Sequence, residues 1–224
     1  MATSSAYTAV VAGSTGAVGR ELVAELVKSA KCTRVIALAR REIPQDQWAK
    51  SFPDLDMETA KSKLEVRAVD FEQLSTSDVT RGNEKVDAAF CCLGTTRKDA
   101  GSDEAFRRVD LDYVTRFGQA SKTAQVPYFG LLTSMSASKS SCIMYLRTKG
   151  EAEDNITKLG FERTSFFRPG PLNRGESMRP VEKAALWVWP SVTTHAVVKS
   201  MVSDYESGSL GLNEWSNGAI KKQG

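Results

Sequence analysis

The residues best suited to chemistry are a tyrosine and a lysine four positions apart. Of the five tyrosines in this chain of 224 residues, only Tyr145 has a lysine, Lys149, four residues later. On a helix this spacing places both side chains on one face, where an ammonium group favours the phenolate and lowers the pKa of the tyrosine. Such a pair can act as a general acid or base near neutral pH. A surface Tyr–Lys pair without catalytic function is the alternative.

A serine hydroxyl close to this pair could polarise a substrate carbonyl. Ser134 comes eleven residues before Tyr145, at the end of an apolar run, and is the predicted partner. Ser136 and Ser138 are rivals, because the conformation of this loop does not follow from the sequence. The predicted catalytic group is therefore Ser134, Tyr145 and Lys149.

A glycine-rich segment follows the first apolar run. It has a GxxGxxG spacing and stands between the β-prone run Tyr7–Ala12 and an amphipathic helical pattern. The first glycine allows a tight turn, the second lets the backbone approach a diphosphate, and the third lets the helix pack on the sheet. Free N–H groups at the helix N-terminus favour bound phosphate. An ordinary glycine-rich turn is the alternative. The predicted dinucleotide-binding residues here are Gly13, Ser14, Thr15, Gly16, Ala17, Val18 and Gly19.

Two arginines end the second apolar run. An NAD site usually has an acid here, about 20 residues beyond the glycines, that binds the ribose 2′-hydroxyl. This chain has Arg40 and Arg41 instead, and forked guanidinium groups suit a 2′-phosphate. The pair predicts NADP(H) as the cofactor; two solvated side chains at a strand end are the alternative.

The ends of two further runs supply more candidate cofactor ligands. Asp70 could accept a hydrogen bond from the adenine amine and Phe71 could flank the ring, although Asp70 could equally cap a helix. After the fourth run, a glycine lets the backbone pass close to a ligand, and two threonines could bind ribose or phosphate. A simple turn is the competing interpretation. The residues of this segment are Cys92, Leu93, Gly94, Thr95 and Thr96.

These candidates follow apolar runs that alternate with helical patterns. The predicted strands are Tyr7–Ala12, Val35–Ala39, Leu64–Val69, Val86–Leu93, Tyr128–Thr133 and Thr164–Phe167. The predicted helices are Glu21–Lys28, Glu104–Thr123 and Tyr145–Leu159. Repeated β-then-α order predicts an α/β fold, a doubly wound parallel sheet of the Rossmann type with helices on both faces. In such sheets ligands bind at the carboxyl ends of the strands.

Residues 1–224 are predicted to form one domain. The segment 171–224 has a different character and is expected to form one wall of a substrate cleft. The loop Arg174–Arg179, Trp187 and Trp189 would shape the pocket, and an amphipathic helix is expected around Ala196–Val202. The tryptophans and the loop could equally be core packing and a solvated segment.

Composition narrows the class of protein. The net charge of +3 is small and scattered, which argues against nucleic-acid binding. His195 is the only histidine, so a histidine metal site or a His-based triad is not expected. Four cysteines without CxxC spacing predict reduced thiols, with adjacent Cys91 and Cys92 on opposite faces of a strand. No secretory signal and no apolar run long enough to span a membrane are recognised, which predicts a cytoplasmic protein.

The glycine turn, the arginine pair, Asp70 and the predicted catalytic group together resemble the short-chain dehydrogenase/reductase superfamily, in its extended or atypical branch. Longer strings are similar to the Tat-interactive-protein family of oxidoreductases. The similarity runs from about residue 9 to at least residue 170. The strings are Cys91–Arg97, Arg108–Val114, Lys139–Ser141, Tyr145–Glu151 and Phe167–Gly170.

The resemblance implies NADPH binding through the glycine turn, the arginine pair and the loop after the fourth strand, and the same catalytic group. It also implies that Lys149 holds the nicotinamide ribose, with Tyr145 beside the cofactor. Arg168, Pro169 and Gly170 join the predicted cofactor-binding residues. The superfamily often has a helix asparagine that completes a proton relay; Asp110 stands there instead.

The sequence therefore predicts an NADP(H)-dependent oxidoreductase that transfers a hydride between nicotinamide and a carbonyl or alcohol substrate. The alternative is a regulatory or redox-sensing protein that binds NADP(H) and acts through protein partners, because members of the resembled family are also regulators of transport, transcription and apoptosis. A nucleotide-sugar epimerase would use the same tyrosine and lysine, but the C-terminal segment is small for a sugar-nucleotide domain. Either a monomer or a homodimer is compatible with the sequence.

Overall fold

The computed structural model describes residues 6–82, 84–173 and 191–224. Its strands are β1 (Tyr7–Ala12), β2 (Cys32–Ala39), β3 (Leu64–Ala68), β4 (Ala88–Cys91), β5 (Tyr128–Leu132), β6 (Arg163–Arg168), β7 (Leu172–Asn173), β8 (Val192–Thr193) and β9 (Gly211–Ser216). Its helices are α1 (Ala17–Lys28), α2 (Trp48–Ser51), α3 (Met57–Lys63), α4 (Thr76–Val79), α5 (Arg97–Ala100), α6 (Asp103–Arg107), α7 (Val114–Thr123), α8 (Met144–Leu159), α9 (Thr194–Ser207) and α10 (Asn217–Lys221). A 3₁₀ turn covers Gln45–Gln47, and a π-helical turn covers Arg108–Tyr113. None of the helices in the described ranges has the length and apolar character needed to cross a membrane.

The main sheet has seven parallel strands in the order β3-β2-β1-β4-β5-β6-β9. From β1 the chain adds β2 and then β3 on one side, and it then crosses to the other side of β1, where β4 lies. Loops that leave β1 and β4 therefore diverge, and a crevice opens between them at the carboxyl edge of the sheet. The predicted doubly wound Rossmann-type fold is confirmed.

Apolar side chains cover both faces of the sheet. Because side chains alternate along a strand, Val11 belongs to the core on one face and Val10 to the core on the other. Cys92 and Cys91 divide between the two cores in the same way, which confirms that their thiols point apart. Cys32, Cys91, Cys92 and Cys142 are all free.

The six predicted strands are all present, and five of them have shifted ends. β1 has the predicted bounds, whereas β2 begins three residues earlier than predicted, at Cys32. The long predicted helix is a continuous run of α6, the π-helical turn and α7 from Asp103 to Thr123. Strand β9 was not predicted, because at the sheet edge it is mostly exposed and lacks a continuous apolar run.

The last part of the chain completes the sheet. α9 packs on α1, where the Thr194 hydroxyl donates to Glu21 at 2.5 Å. In α9 the buried Asp204 accepts hydrogen bonds from Tyr128 and Trp215, at 3.0 and 2.8 Å, and so ties β5 and β9 to the helix. The predicted cleft role of residues 171–224 stays a prediction. The loop Arg174–Arg179, Trp187 and Trp189 lie outside the described residues.

Candidate active site

The glycine turn connects β1 to α1 beside the end of β4. Gly13 has φ of +75°, a left-handed conformation that favours glycine. A Cβ at this position would lie 2.6 Å from the carbonyl carbon of Cys92 and 2.7 Å from the nitrogen of Leu93. A Cβ at Gly19 would overlap the carbonyl oxygen of Gly13. Glycine is therefore required at both positions if the turn, the helix and β4 are to lie this close together.

The N-terminus of α1 is open to an anion. The first N–H groups of any α-helix lack an intrahelical acceptor. In α1, which begins after Gly16, no side chain caps them and no acidic residue stands in the first turn. Thr15 is exposed, whereas the buried Ser14 hydroxyl donates to the carbonyl of Leu38 at 2.7 Å. Ser14 thus ties the turn to the end of β2. Within the turn, the Gly16 N–H donates to the carbonyl of Gly13 at 3.0 Å. The uncapped N–H groups at the start of α1 and the positive end of its helix dipole are features that suit a bound diphosphate.

Arg40 and Arg41 directly follow β2. Both are exposed, and within residues 6–82, 84–173 and 191–224 neither forms a hydrogen bond or an ion pair. Because Ser14 holds Leu38, the end of β2 that carries the arginines is next to the glycine turn. Two unpaired guanidinium groups are therefore available at this edge of the sheet.

Asp70 and Phe71 come just after β3. The Asp70 carboxylate accepts the N–H of Glu72 at 2.9 Å in a local turn. Phe71 is buried and stacks on Tyr113, with 5.8 Å between the ring centroids. A contact of either residue with adenine stays a prediction.

A cavity of about 720 Å³ opens at the carboxyl ends of β1, β4, β5 and β6. This volume is in the usual range for small-molecule and cofactor sites. The predicted site residues that line it are Gly16, Ala17, Val18, Cys92, Leu93, Gly94, Thr95, Thr96, Ser134, Tyr145, Lys149, Pro169 and Gly170. The predicted site residues outside its lining are Gly13, Ser14, Thr15, Gly19, Arg40, Arg41, Asp70, Phe71 and Arg168.

Helix α8 brings Tyr145 and Lys149 to the cavity. Tyr145 is 40% exposed, and its ring packs on Phe106 with 5.8 Å between centroids. Its hydroxyl has no hydrogen-bond partner among the described residues. Ser134 also lines the cavity, but its hydroxyl donates to the carbonyl of Met135 at 3.3 Å. The three predicted catalytic side chains thus share one cavity, without a direct hydrogen bond between Ser134 and Tyr145.

Lys149 is buried and paired with an acid. Its Nζ lies 2.8 Å from Oδ1 of Asp110, which is fully buried and also lines the cavity. Burial by itself lowers the pKa of Lys149. The electrostatic interactions with Asp110 and Tyr145 and the contact of the ammonium with the Asp110 carboxylate more than offset this, so the pKa is raised. Lys149 is therefore a cation at neutral pH.

The loop after β5 packs directly against α8. A Cβ at Gly150, the residue after Lys149, would overlap the backbone of Ser138 and Lys139. Lys139 also forms an ion pair with Asp154 of α8 at 2.6 Å. The placement of this loop relative to Lys149 therefore depends on glycine at position 150.

Arg168 ends β6 with its guanidinium held by acids. It donates to Glu153 of α8 at 2.9 and 2.7 Å and pairs with Glu214 of β9 at 2.9 Å. The hydrogen bonds to Glu153 are the main reason that the pKa of Arg168 is raised. Arg168 thus links β6 to α8 and β9 just before Pro169 and Gly170, which line the cavity. Its direct contact with a cofactor stays a prediction.

The structure brings one further hydroxyl to the cavity that sequence reasoning missed. Thr133 lines the cavity and is 5% exposed, and its Oγ1 has no hydrogen-bond partner in the part of the chain that the structure describes. A buried hydroxyl without a partner is unfavourable, so it is suited to meet a ligand. The signal in the sequence was its place at the end of the predicted strand Tyr128–Thr133, one residue before Ser134.

Solved structures share this fold. MoeE5 in complex with UDP-glucuronic acid and NAD has a TM-score of 0.70 and 16% identity, over 93% of this chain and 75% of that one. The putative NAD-dependent epimerase/dehydratase from Bacillus halodurans has a TM-score of 0.66 and 18% identity, over 96% and 99% of the two chains. At these identities the likeness shows the fold alone.

Two relatives found by sequence are more similar to this chain than these solved structures are. Protein HTATIP2 of Rattus norvegicus is 37% identical over 174 residues, which cover 77% of this chain and 66% of the rat protein. Protein FMP52, mitochondrial, of Debaryomyces hansenii is 35% identical over 165 residues, which cover 73% and 66%. The matched segment thus spans slightly less than two thirds of either relative. Residues 13–197 match the family described as NAD(P)H-binding. The resemblance inferred from the motifs is confirmed: the chain belongs to the NAD(P)H-binding family and is related to HTATIP2.

Proposed function

We propose that the protein is an NADP(H)-dependent oxidoreductase of the short-chain dehydrogenase type, which interconverts a carbonyl compound and the corresponding alcohol. The observation that carries the proposal is one cavity lined by the first turn of α1, the loop after β4, and the Tyr145–Lys149 pair of α8. A dinucleotide bound across the first two would have its reactive end near the third. Membership of the NAD(P)H-binding family supports this class of cofactor.

The glycine turn fits a dinucleotide. The N-terminus of α1 that follows it has no side-chain cap, and the space that a Cβ at Gly13 or Gly19 would need is already filled by backbone. Gly16, Ala17 and Val18 would hold the diphosphate, and Cys92–Thr96 would follow the ribose and nicotinamide. Bound NADPH would supply the hydride. Thr96 also caps α5, where its Oγ1 accepts the N–H of Asp99 at 3.2 Å, so Thr95 is the more available hydroxyl.

Tyr145 is the proposed general acid and base. The residue is partly exposed, and its hydroxyl can donate a proton to a carbonyl oxygen during reduction and take one back during oxidation. The Lys149 cation favours the phenolate that remains after donation. The Oγ1 of Thr133, or that of Ser134 after rotation away from Met135, can donate a hydrogen bond to the same carbonyl oxygen.

The cavity walls favour an apolar substrate body. Leu132, Met135, Ile143, Leu146 and Leu172 line it, and Ile143 is 61% exposed. Burial of such side chains against a ligand removes apolar area from water and stabilises the complex. Aldehydes, ketones and alcohols with apolar chains or rings are therefore the first substrates to screen.

The arginine pair supports NADP(H) over NAD(H). The MoeE5 complex contains NAD, whereas this chain presents two unpaired guanidinium groups beside the glycine turn. Replacing Arg40 and Arg41 by alanine should reduce the preference for NADPH over NADH by tenfold or more, since each charged hydrogen bond contributes about 1.5–3 kcal/mol. Lys221→Ala with Lys222→Ala, which removes two exposed charges elsewhere, is the control. An unchanged NADPH-to-NADH affinity ratio in the arginine double variant would refute the cofactor assignment.

The reaction is tested by following NADPH absorbance with purified protein and a panel of apolar carbonyl compounds. Tyr145→Phe should abolish turnover and retain NADPH binding, because it removes only the hydroxyl. Tyr205→Phe, in α9 away from the cavity, is the matched control and should keep its activity. If the wild-type protein binds NADPH but turns over no compound, the result would contradict the proposed enzymatic activity and favour the regulatory alternative.

The cytoplasm stays the predicted compartment. The Debaryomyces hansenii relative is named mitochondrial, so a mitochondrial location is the competing hypothesis. Cell fractionation with the untagged protein distinguishes them: recovery with the mitochondrial fraction would overturn the cytoplasmic prediction.

A further inference from the structure

A buried carboxylate lies in the wall of the cavity. Asp110 is fully buried, lines the cavity and belongs to the π-helical turn Arg108–Tyr113. A π-helical turn holds more residues than an α-helical turn, and such turns occur frequently at functional sites. The next acid on the same turn, Asp112, is exposed. The turn therefore presents two acids in opposite environments.

Both oxygens of the Asp110 carboxylate are engaged. Oδ1 lies 2.8 Å from the Nζ of Lys149, and Oδ2 accepts the N–H of Thr95 at 2.8 Å. A Cβ at Gly94 would lie 3.4 Å from both Oδ1 of Asp110 and Nζ of Lys149. One side chain thus joins α8, which carries the lysine, to the loop after β4, and the ion pair lies against the backbone of that loop.

We propose that Asp110 is a positioning residue of the active site, which fixes the Lys149 ammonium and the Gly94–Thr95 loop in one arrangement. The proposal rests on the proposed function, in which Lys149 supports Tyr145 and this loop contacts the cofactor. Because a buried charge is costly unless it is paired, removal of Asp110 forces Lys149 either to lose its proton or to leave its position. An asparagine could still accept the Thr95 N–H, but it would leave the lysine cation without a counter-charge.

The surroundings of Lys149 make this dependence measurable. The other titratable groups that interact with it are Tyr145 on its own helix, Cys91 at the end of β4 and the adjacent Cys92. Asp110 is the carboxylate among them, and it keeps the pKa of the buried lysine above its usual value. Without that charge, burial lowers the pKa of the lysine.

The test is competitive acetylation of the full chain with acetic anhydride between pH 7 and 12, read at each lysine by peptide mass spectrometry. In the wild type, Lys149 should label with a midpoint above that of the exposed Lys221 and Lys222. In Asp110→Asn the midpoint of Lys149 should fall by at least about 1 pH unit. Asp112→Asn, which removes the exposed acid of the same turn, should leave it unchanged. A wild-type Lys149 midpoint at or below that of Lys221 and Lys222 overturns the proposal, even if Asp110→Asn does not fold.

A second arm measures NADPH binding by calorimetry. Folded Asp110→Asn should bind NADPH roughly tenfold more weakly than wild type, and Asp112→Asn should bind like wild type. Wild-type affinity and an unshifted Lys149 midpoint in folded Asp110→Asn overturn the positioning role. Failure of the wild type itself to bind NADPH refutes the proposed function instead, and labelling still decides whether Asp110 holds Lys149.

Discussion

Substituting Gly13 by alanine tests the geometry of the glycine turn. The left-handed backbone at φ +75° costs an alanine about 1–2 kcal/mol. The new Cβ would start 2.6 Å from Cys92, so the turn or the end of β4 must move by about 0.8 Å to reach an ordinary contact. Overpacking of this kind costs about 1–3 kcal/mol. Gly13→Ala should therefore lower the free energy of unfolding by about 2–5 kcal/mol.

Gly208→Ala is the matched control for Gly13→Ala. Gly208 has φ of +73°, but a Cβ there would have no atom within 4 Å. It should lose only the conformational part of the free energy, about 1–2 kcal/mol. The shift at Gly13 should also misplace at least one amide of the proposed diphosphate site, which would weaken NADPH binding by about 10- to 100-fold.

Urea denaturation measures the free energy of unfolding of both variants, and calorimetry with NADPH measures their affinity under conditions where each is folded. The reasoning fails if Gly13→Ala unfolds like Gly208→Ala and binds NADPH with wild-type affinity. Equal losses of affinity in both variants would also contradict it, since the control leaves the turn intact.

Three further predictions concern the loop after β5, the thiols and helix α9. Gly150→Ala should displace that loop and reduce kcat/KM by about 100-fold. The control is Gly118→Ala, whose new Cβ would overlap only the side chains of Ile156 and Leu159. It should change stability and leave kcat/KM near that of the wild type. Equal kcat/KM in the two variants would argue against the loop's role. Burial raises the pKa of Cys32 and Cys91 to about 12 and that of Cys92 still further. Iodoacetamide at pH 8 should therefore add a single label, at the exposed Cys142, as measured by intact-mass spectrometry. More than one adduct on the folded protein would contradict this burial. Asp204→Ala should lower the free energy of unfolding by about 3–5 kcal/mol, because it leaves the buried Arg163 unpaired. A loss below about 1 kcal/mol in urea denaturation would contradict the importance of this ion pair.

The sequence was most informative where one local pattern determines the structure. The run Tyr7–Ala12 is buried along most of its length, so its apolar character alone placed β1, and the glycines that follow had to form a turn. β9 was not predicted because an edge strand needs no apolar run. A tertiary contact fixes it instead: the Trp215 indole donates a hydrogen bond to Asp204, eleven residues earlier. Such tertiary pairing has no periodic signal.

The candidate site was predictable only in part for the same reason. Tyr145 and Lys149 could be paired from helix spacing, which is local. The partners of Arg168 and Lys149 lie on other elements: Glu153 and Glu214 for the first, Asp110 for the second. The sequence places Arg168 at a strand end, where a ligand is expected, but carries no sign that acids on α8 and β9 bind it.

The most direct test of the account is a crystal structure of the protein with NADPH. It should place the diphosphate against the amides of Ala17 and Val18 in the first turn of α1, and the nicotinamide in the cavity, within reach of Tyr145 and Lys149. A nucleotide bound anywhere else, or a diphosphate that makes no contact with the first turn of α1, would contradict the central claim that this cavity is a nicotinamide dinucleotide site.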